Sequence, residues 1–140
     1  MEYYVKITAE DGKEISFETK TGDTFINSVV IMLDTVDDSV KSKSDAMMAK
    51  LIITGAITED TSKELIDVFK WSLENAAYKV YRNVSIVLMH NEERIRRYSF
   101  DDMFVVDYTE SLAPNGGDIE SKFELKLTQR INKLKTIETF

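Results

Sequence analysis

The stretch Glu2-Tyr3-Tyr4-Val5-Lys6-Ile7-Thr8-Ala9-Glu10-Asp11-Gly12-Lys13-Glu14-Ile15-Ser16-Phe17 decides the fold. Tyr3, Val5, Ile7 and Ala9 fall on one face, and Glu2, Tyr4, Lys6 and Thr8 on the other. That two-residue period belongs to a strand with one buried side. Asp11-Gly12 then reads as a tight turn, because both residues tolerate positive φ. Ile15 and Phe17 carry the apolar parity back along a return strand. The segment is an antiparallel hairpin.

The same reading extends outward. Lys20-Thr21-Gly22-Asp23 is a break, and Phe25 to Leu33 is an apolar run rich in Val and Ile, suited to a buried strand. Residues 34–45, DTVDDSVKSKSD, offer only Val36 and Val40 as apolar groups. They bury little and read as a long solvated loop. Met47 to Ile57 returns as a strand with Leu51, Ile53, Gly55 and Ile57 on one face. Thr61 and Glu64 have capping-box spacing and open a helix expected from Ser62 to Ala77. Its apolar face is expected to be Leu65, Ile66, Phe69, Leu73, Ala76 and Ala77, opposite Lys63, Asp67, Lys70 and Glu74.

Beyond Tyr78 the period is two again. Val80, Val84, Ile86 and Leu88 share a parity, His90-Asn91-Glu92-Glu93 is a turn, and Arg94 to Phe100 returns. Met103 to Tyr108 is apolar on both parities, which predicts a central strand covered on both sides. Pro114-Asn115-Gly116-Gly117 is a loop, and Ile119 to Ile131 alternates with Phe123, Leu125 and Leu127 inward. The predicted fold is mainly β: an antiparallel two-sheet β-barrel or sandwich of about eight strands with one amphipathic helix, in a single domain over residues 1–140.

Composition excludes several chemistries. The 140 residues include no cysteine, which removes thiol catalysis, disulfides and iron–sulfur clusters, and His90 is the single histidine. Eighteen Lys and Arg against twenty-five Asp and Glu leave a net charge of −7. Such a surface repels nucleic acid and anionic membranes. No run approaches the roughly 18 apolar residues of a membrane span. The N-terminus lacks the apolar core of a signal peptide, so the expected location is the cytoplasm, unless a dedicated machine exports the chain.

Each candidate site has a plain reading beside the functional one. His90 is a conceivable general base, but no nucleophile motif accompanies it, and a solvated turn histidine is expected. Asp34, Asp37, Asp38 and Asp45 carry calcium-type oxygens without the EF-hand order of ligands, and Lys41 and Lys43 dilute them. Arg94, Arg96 and Arg97 form the best basic cluster, beside Tyr98 and Phe100. Asp101 and Asp102 follow at once, so ion pairing across a hairpin or a subunit boundary is expected rather than a nucleic-acid groove. Gly116-Gly117 has no following Lys, and no Gly-x-Ser-x-Gly elbow occurs. No catalytic residue, metal or cofactor is expected.

From about Thr58 to Ile131 the order of elements resembles a known family. Its parts are the polar helix start Glu59-Asp60-Thr61-Ser62, the amphipathic helix Leu65 to Leu73, and the strand pair around Val84 to Tyr98. They continue with Tyr98-Ser99-Phe100-Asp101-Asp102-Met103-Phe104-Val105-Val106-Asp107-Tyr108 and the final alternating strand Lys122 to Gln129. This pattern resembles the haemolysin-coregulated protein (Hcp) of type VI secretion and the phage tail-tube proteins of contractile injection machines. The resemblance implies a β-barrel with a lateral helix, a hexameric ring, and rings stacked into a tube. Partners would be sheath, baseplate or spike proteins and effector cargo, with export by the apparatus itself and no enzymatic reaction.

Ring closure needs one patch to meet a different patch on an identical neighbour. The long final strand, with Phe123, Leu125 and Leu127, is the expected ring-edge strand, because exposed edges seek pairing partners. The 34–45 loop is the expected stacking contact, since Asp34, Asp37, Asp38, Lys41, Lys43 and Asp45 offer both charge signs. Two other readings stand beside this one: a monomeric β-barrel module binding a peptide or lipid-like ligand, and an enzyme using His90.

Overall fold

In the computed structural model, described over residues 2–17, 26–35, 47–75, 77–114, 120–130 and 138–139, the N-terminal hairpin forms as its period requires. Strands β1 (Glu2–Thr8) and β2 (Glu14–Phe17) pair antiparallel, with Val5 opposite Phe17 and Ile7 opposite Ile15. All four of these side chains are buried. The connection is wider than a two-residue turn. The Ala9 N–H donates to the Lys13 carbonyl (2.9 Å) and the Gly12 N–H to the Ala9 carbonyl (3.0 Å). Of Asp11 and Gly12, only Gly12 adopts positive φ, at 88°. Asp11 contributes through its side chain, which accepts the Lys13 N–H at 3.0 Å.

The chain continues through β3 (Ile26–Thr35), β4 (Met47–Ala56), helix α1 (Ser62–Ser72), the single turn α2 (Ala77–Val80), β5 (Arg82–His90), β6 (Glu93–Ser111), β7 (Lys122–Gln129) and β8 (Glu138–Thr139). All strand pairs are antiparallel, in the order β2-β1-β5-β6-β7-β4-β3, and β8 pairs with β6. The mainly β architecture with one amphipathic helix is therefore as expected. The described strands form one sheet that folds over on itself so that its two halves face each other, and its hydrogen-bonded path does not close.

The bend lies in β6. Two expected strands, Arg94 to Phe100 and Met103 to Tyr108, are one strand of 19 residues. Its first part pairs with β5 as far as Met103, and its second part pairs with β7 from Met103 onward. At the junction Asp101 and Asp102 together oppose Asn83, a bulge. Asp102 takes φ 52°, a conformation that aspartate tolerates better than most residues. Its N–H donates to Asn83 Oδ1 (3.2 Å), and its carbonyl accepts the Arg130 N–H (2.8 Å). Gln129, buried beneath, donates Nε2–H to the Asp101 carbonyl at 3.1 Å.

Folding the sheet over creates one core. Val5, Ile7, Ile15 and Phe17 of one half meet Leu51, Ile53, Phe123, Leu125 and Leu127 of the other. The Phe17 and Phe123 rings stack with centroids 5.8 Å apart. The segment Met103–Tyr108 is covered on one side rather than two: Met103 is fully buried, whereas Val106 is 51% exposed. Val106 is the extra residue of a second bulge, between Val105 opposite Leu127 and Asp107 opposite Lys126.

Helix α1 is shorter than expected and is rotated. It ends at Ser72, and it buries Leu65, Val68 and Trp71. Ile66, Phe69 and Leu73, assigned to the core by periodicity, face outward. Trp71 decides the rotation. It is the bulkiest fully buried side chain, its indole N–H donates to the Val80 carbonyl at 2.8 Å, and the Arg82 guanidinium lies 5.2 Å from its ring. Partial burial lowers the pKa of Arg82, and the charges of Asp11, Asp67 and Glu74 oppose that shift. Thr61 does not cap the helix through its side chain. Its hydroxyl instead donates to the Ala56 carbonyl (3.1 Å) and accepts the Thr58 N–H (2.8 Å), pinning the helix start to the end of β4.

Trp71→Ala should therefore lose about 3–5 kcal/mol of unfolding free energy in chemical denaturation. Trp71→Phe keeps most of the packing and loses the bond to Val80, and should cost about 1–2 kcal/mol.

Candidate assembly surfaces

The residues singled out from the sequence are distributed unevenly. Phe123, Leu125 and Leu127 do not lie on an edge. Strand β7 is hydrogen-bonded to β6 on one side and β4 on the other, and the three side chains are at most 2% exposed. The alternation that marked this strand arises from one buried face, which an interior strand shares with an edge strand. Of the stacking-loop residues, Asp34 is the last but one of β3, opposite Met48. Asp37, Asp38, Lys41, Lys43 and Asp45 lie outside the described residues.

Strands β2 and β3 end the described sheet, and β3 is the longer of the two. Among the described residues it pairs only with β4, over ten residues without proline. Val30, Met32 and Leu33 are 44%, 41% and 58% exposed. Val30 and Met32 share one parity and Leu33 has the other, so the strand shows apolar groups on both faces. A long apolar edge of this kind is a template for another strand unless something covers it. The signal was present in the sequence, since both parities from Val29 to Leu33 are apolar.

A second apolar surface lies on α1. Ile66, Phe69 and Leu73 are spaced by three and four residues and form one stripe. They are 54%, 48% and 69% exposed. Phe69 stands edge-on to Tyr108 of β6 at 6.2 Å, which carries the apolar surface onto the sheet. The Tyr108 hydroxyl donates to Glu110 Oε1 at 2.7 Å. Partial burial, with that bond and the glutamate charge, raises the tyrosine pKa well above its ordinary value. Strand order places β4 and β7 between β3 and β6, so the two apolar surfaces belong to different parts of the molecule.

The basic cluster divides. Asn91 (φ 49°) and Glu92 (φ 66°) form the two-residue turn of the β5–β6 hairpin, as the sequence predicts, and His90 beside them is exposed. The His90 Nε2 lies 3.3 Å from Asn91 Nδ2. A register shift then sets Arg94 opposite Met89 and Arg97 opposite Val87, on one face of the sheet. Arg96 is opposite Leu88, on the other face, and its Nη1–H donates to the Tyr98 hydroxyl at 3.1 Å. Arg94 and Arg97 join Lys6, Ser16, Ser85 and Val87 around an open cavity of about 670 Å³. Among the described residues no group of three or more His, Asp or Glu side chains is placed to hold a metal ion. No described helix is long and apolar enough to cross a membrane.

A bent antiparallel sheet flanked by one helix, with a long polar connection between its third and fourth strands, is an Hcp-like fold. No protein-family model and no curated protein matches the chain. Among solved structures it is similar to Hcp1 from E. coli EAEC 042, with a TM-score of 0.64 and 10% identity over 100% of this chain and 98% of that one. It is similar to a chain of the sheath–tube complex of PVC, an extracellular contractile injection system, with a TM-score of 0.60, 11% identity, and coverage of 99% and 88%. It is also similar to a chain of the six-fold symmetrised baseplate of the anti-feeding prophage, with a TM-score of 0.53, 9% identity, and coverage of 99% and 92%. At these identities the similarity concerns the fold.

The raised pKa of Tyr108 has a consequence for alkaline stability. Because the folded value lies above the unfolded value of 10.0, the contribution is complete below that pH. It is lost progressively above it, as unfolded chains ionise first. Tyr108→Phe should flatten the fall of unfolding free energy above about pH 10. Absorbance titration should show that the variant has lost a phenol that titrates above the ordinary tyrosine range.

Proposed function

We propose that this protein is a structural ring subunit whose rings stack into the inner tube of a contractile injection or type VI-like apparatus. The observation that carries the proposal is the match along nearly the whole chain to Hcp1 and to a chain of a sheath–tube complex. A fold by itself does not specify a function. Here a second feature supports the reading: two exposed apolar surfaces that differ from each other, the β3 edge and the α1 stripe. A head-to-tail ring needs two unlike patches on each copy, and closes when the rotation between neighbours divides the circle. Six copies are proposed, in keeping with the six-fold baseplate whose chain has the same fold.

In this role the chain performs no chemistry. Rings assemble in the cytoplasm, contact sheath and baseplate proteins on the outside, and leave with the apparatus, carrying or conducting cargo. The connection between β3 and β4 provides the stacking contact.

Light scattering on the purified protein should give the mass of a hexamer. A monomer at high concentration would refute the ring and favour a monomeric binding module. Val30→Lys and Ile66→Lys change exposed positions and should each keep unfolding free energy within about 1 kcal/mol of wild type. Each should nevertheless dissociate the ring, because a lysine on an edge or in an apolar contact must lose its hydration. Deleting residues 36–43 should leave rings intact and abolish tubes in negative-stain images.

A further inference from the structure

The first half of β6 has one edge on β5, from Glu93 to Met103. Its other edge is closed piecemeal by the chain beyond β6. From Met103 onward that edge pairs with β7. The Asp102 carbonyl accepts the Arg130 N–H, and the Asp101 carbonyl accepts Gln129 Nε2–H. Ser99 and Tyr98 then pair with Glu138 and Thr139, the two residues of β8. Among the described residues nothing pairs with residues 93–97 on that edge. Composition follows the same division. Residues 93–97, ERIRR, have four charged side chains out of five, and Asp101 and Asp102 are charged and bulged. Charges and bulges both keep an edge from pairing with another chain. Residues 98–100, YSF, carry no charge, and the Tyr98 and Phe100 rings lie parallel with centroids 6.3 Å apart. It is this uncharged stretch that β8 covers.

We propose that β8 is an intramolecular cap: it occupies the uncharged stretch of β6 and keeps the β3 edge of a second copy from adding there. The strand kept out is β3 because it is the longer end of the described sheet, ten residues without proline, with apolar groups on both faces. Strand addition draws its affinity from backbone N–H and C=O groups, and an uncovered stretch of β6 offers them. The contact that matters is the backbone pairing of β8, whatever its side chains are. Two ladder residues open more readily than the long pairings of β6 with β5 and β7, so the cap is the first part of this edge to yield. The inference concerns the free chain and does not depend on the ring.

The test places proline at both positions of β8, E138P/T139P, in the full chain. Of two adjacent strand residues one N–H points at the partner, and the pair of prolines removes it whichever it is. Amide hydrogen exchange over residues 97–100 should rise roughly tenfold or more. Sheet-rich aggregates, read by light scattering and thioflavin fluorescence, should form roughly tenfold faster than in wild type, while circular dichroism shows an unchanged melt. E138A/T139A keeps the backbone pairing and should behave as wild type. Deleting residues 138–140 is the second variant, with the same expectations as the prolines. In the proline background Val30→Lys should suppress aggregation and Ile66→Lys should not. Both lysines are expected to dissociate the ring proposed above, so the difference between them separates pairing at the β3 edge from ring assembly. Unchanged exchange at residues 97–100 in both variants overturns the cap, and so does faster exchange in a chain that stays as soluble as wild type. Aggregation that V30K leaves untouched, or that I66K suppresses equally, overturns β3 as the strand kept out.

Discussion

Every other feature of this molecule depends on the bulge at Asp101-Asp102. A twisted antiparallel sheet can cover its own apolar face only by bending sharply somewhere, and a bend that broke the ladder would strand buried N–H and C=O groups. Here the corner is made inside a single strand. The backbone of Asp102 turns through positive φ, and the groups released from the ladder find Asn83, Gln129 and Arg130. Strand β6 thereby serves two neighbours in succession, β5 and then β7, and the two halves of the sheet face each other across Phe17 and Phe123.

That solution to the core leaves its cost at the surface. A closed barrel has no edges, but a bent open sheet keeps them. Among the described strands the apolar edge is β3, and the helix that shields the other flank turns Trp71 inward and Ile66, Phe69 and Leu73 outward. At about 25 cal/mol per Å² of apolar area removed from water, surfaces of this kind favour association. Because the two differ, the ring proposed above would set one against the other on a neighbouring copy, head to tail.

The electrostatics divide the labour differently. Net negative charge keeps free copies apart and soluble. The apolar surfaces act at contact and carry no charge of their own. Lys6, Arg94 and Arg97 share a sheet face with Glu2 and Glu14, and the two arginines stand on one side because of the register shift at the start of β6.

Much of the fold was legible in the sequence, and the reason is local. The hairpin of residues 2–17, the strands about Val30, Leu51 and Val84, and the Asn91-Glu92 turn all follow from side-chain period and φ tolerance, which act within a few residues. So does the resemblance in the order of elements that the fold comparisons support. Rank within the sheet is a different matter. Phe123, Leu125 and Leu127 alternate like an edge strand, yet β7 is interior, because alternation reports how many faces are buried and not how many edges are paired. The rotation of α1 is likewise set by Trp71 finding the Val80 carbonyl, a contact that a helical wheel does not contain. The separation of Arg96 from Arg94 and Arg97 depends on a bulge opposite Leu88 and Met89. The sequence by itself determined which segments are strands and which faces are apolar. Only the tertiary structure decided which edge stays open, which helix stripe meets water and which cations share a face, because each of these is set by partners far away along the chain.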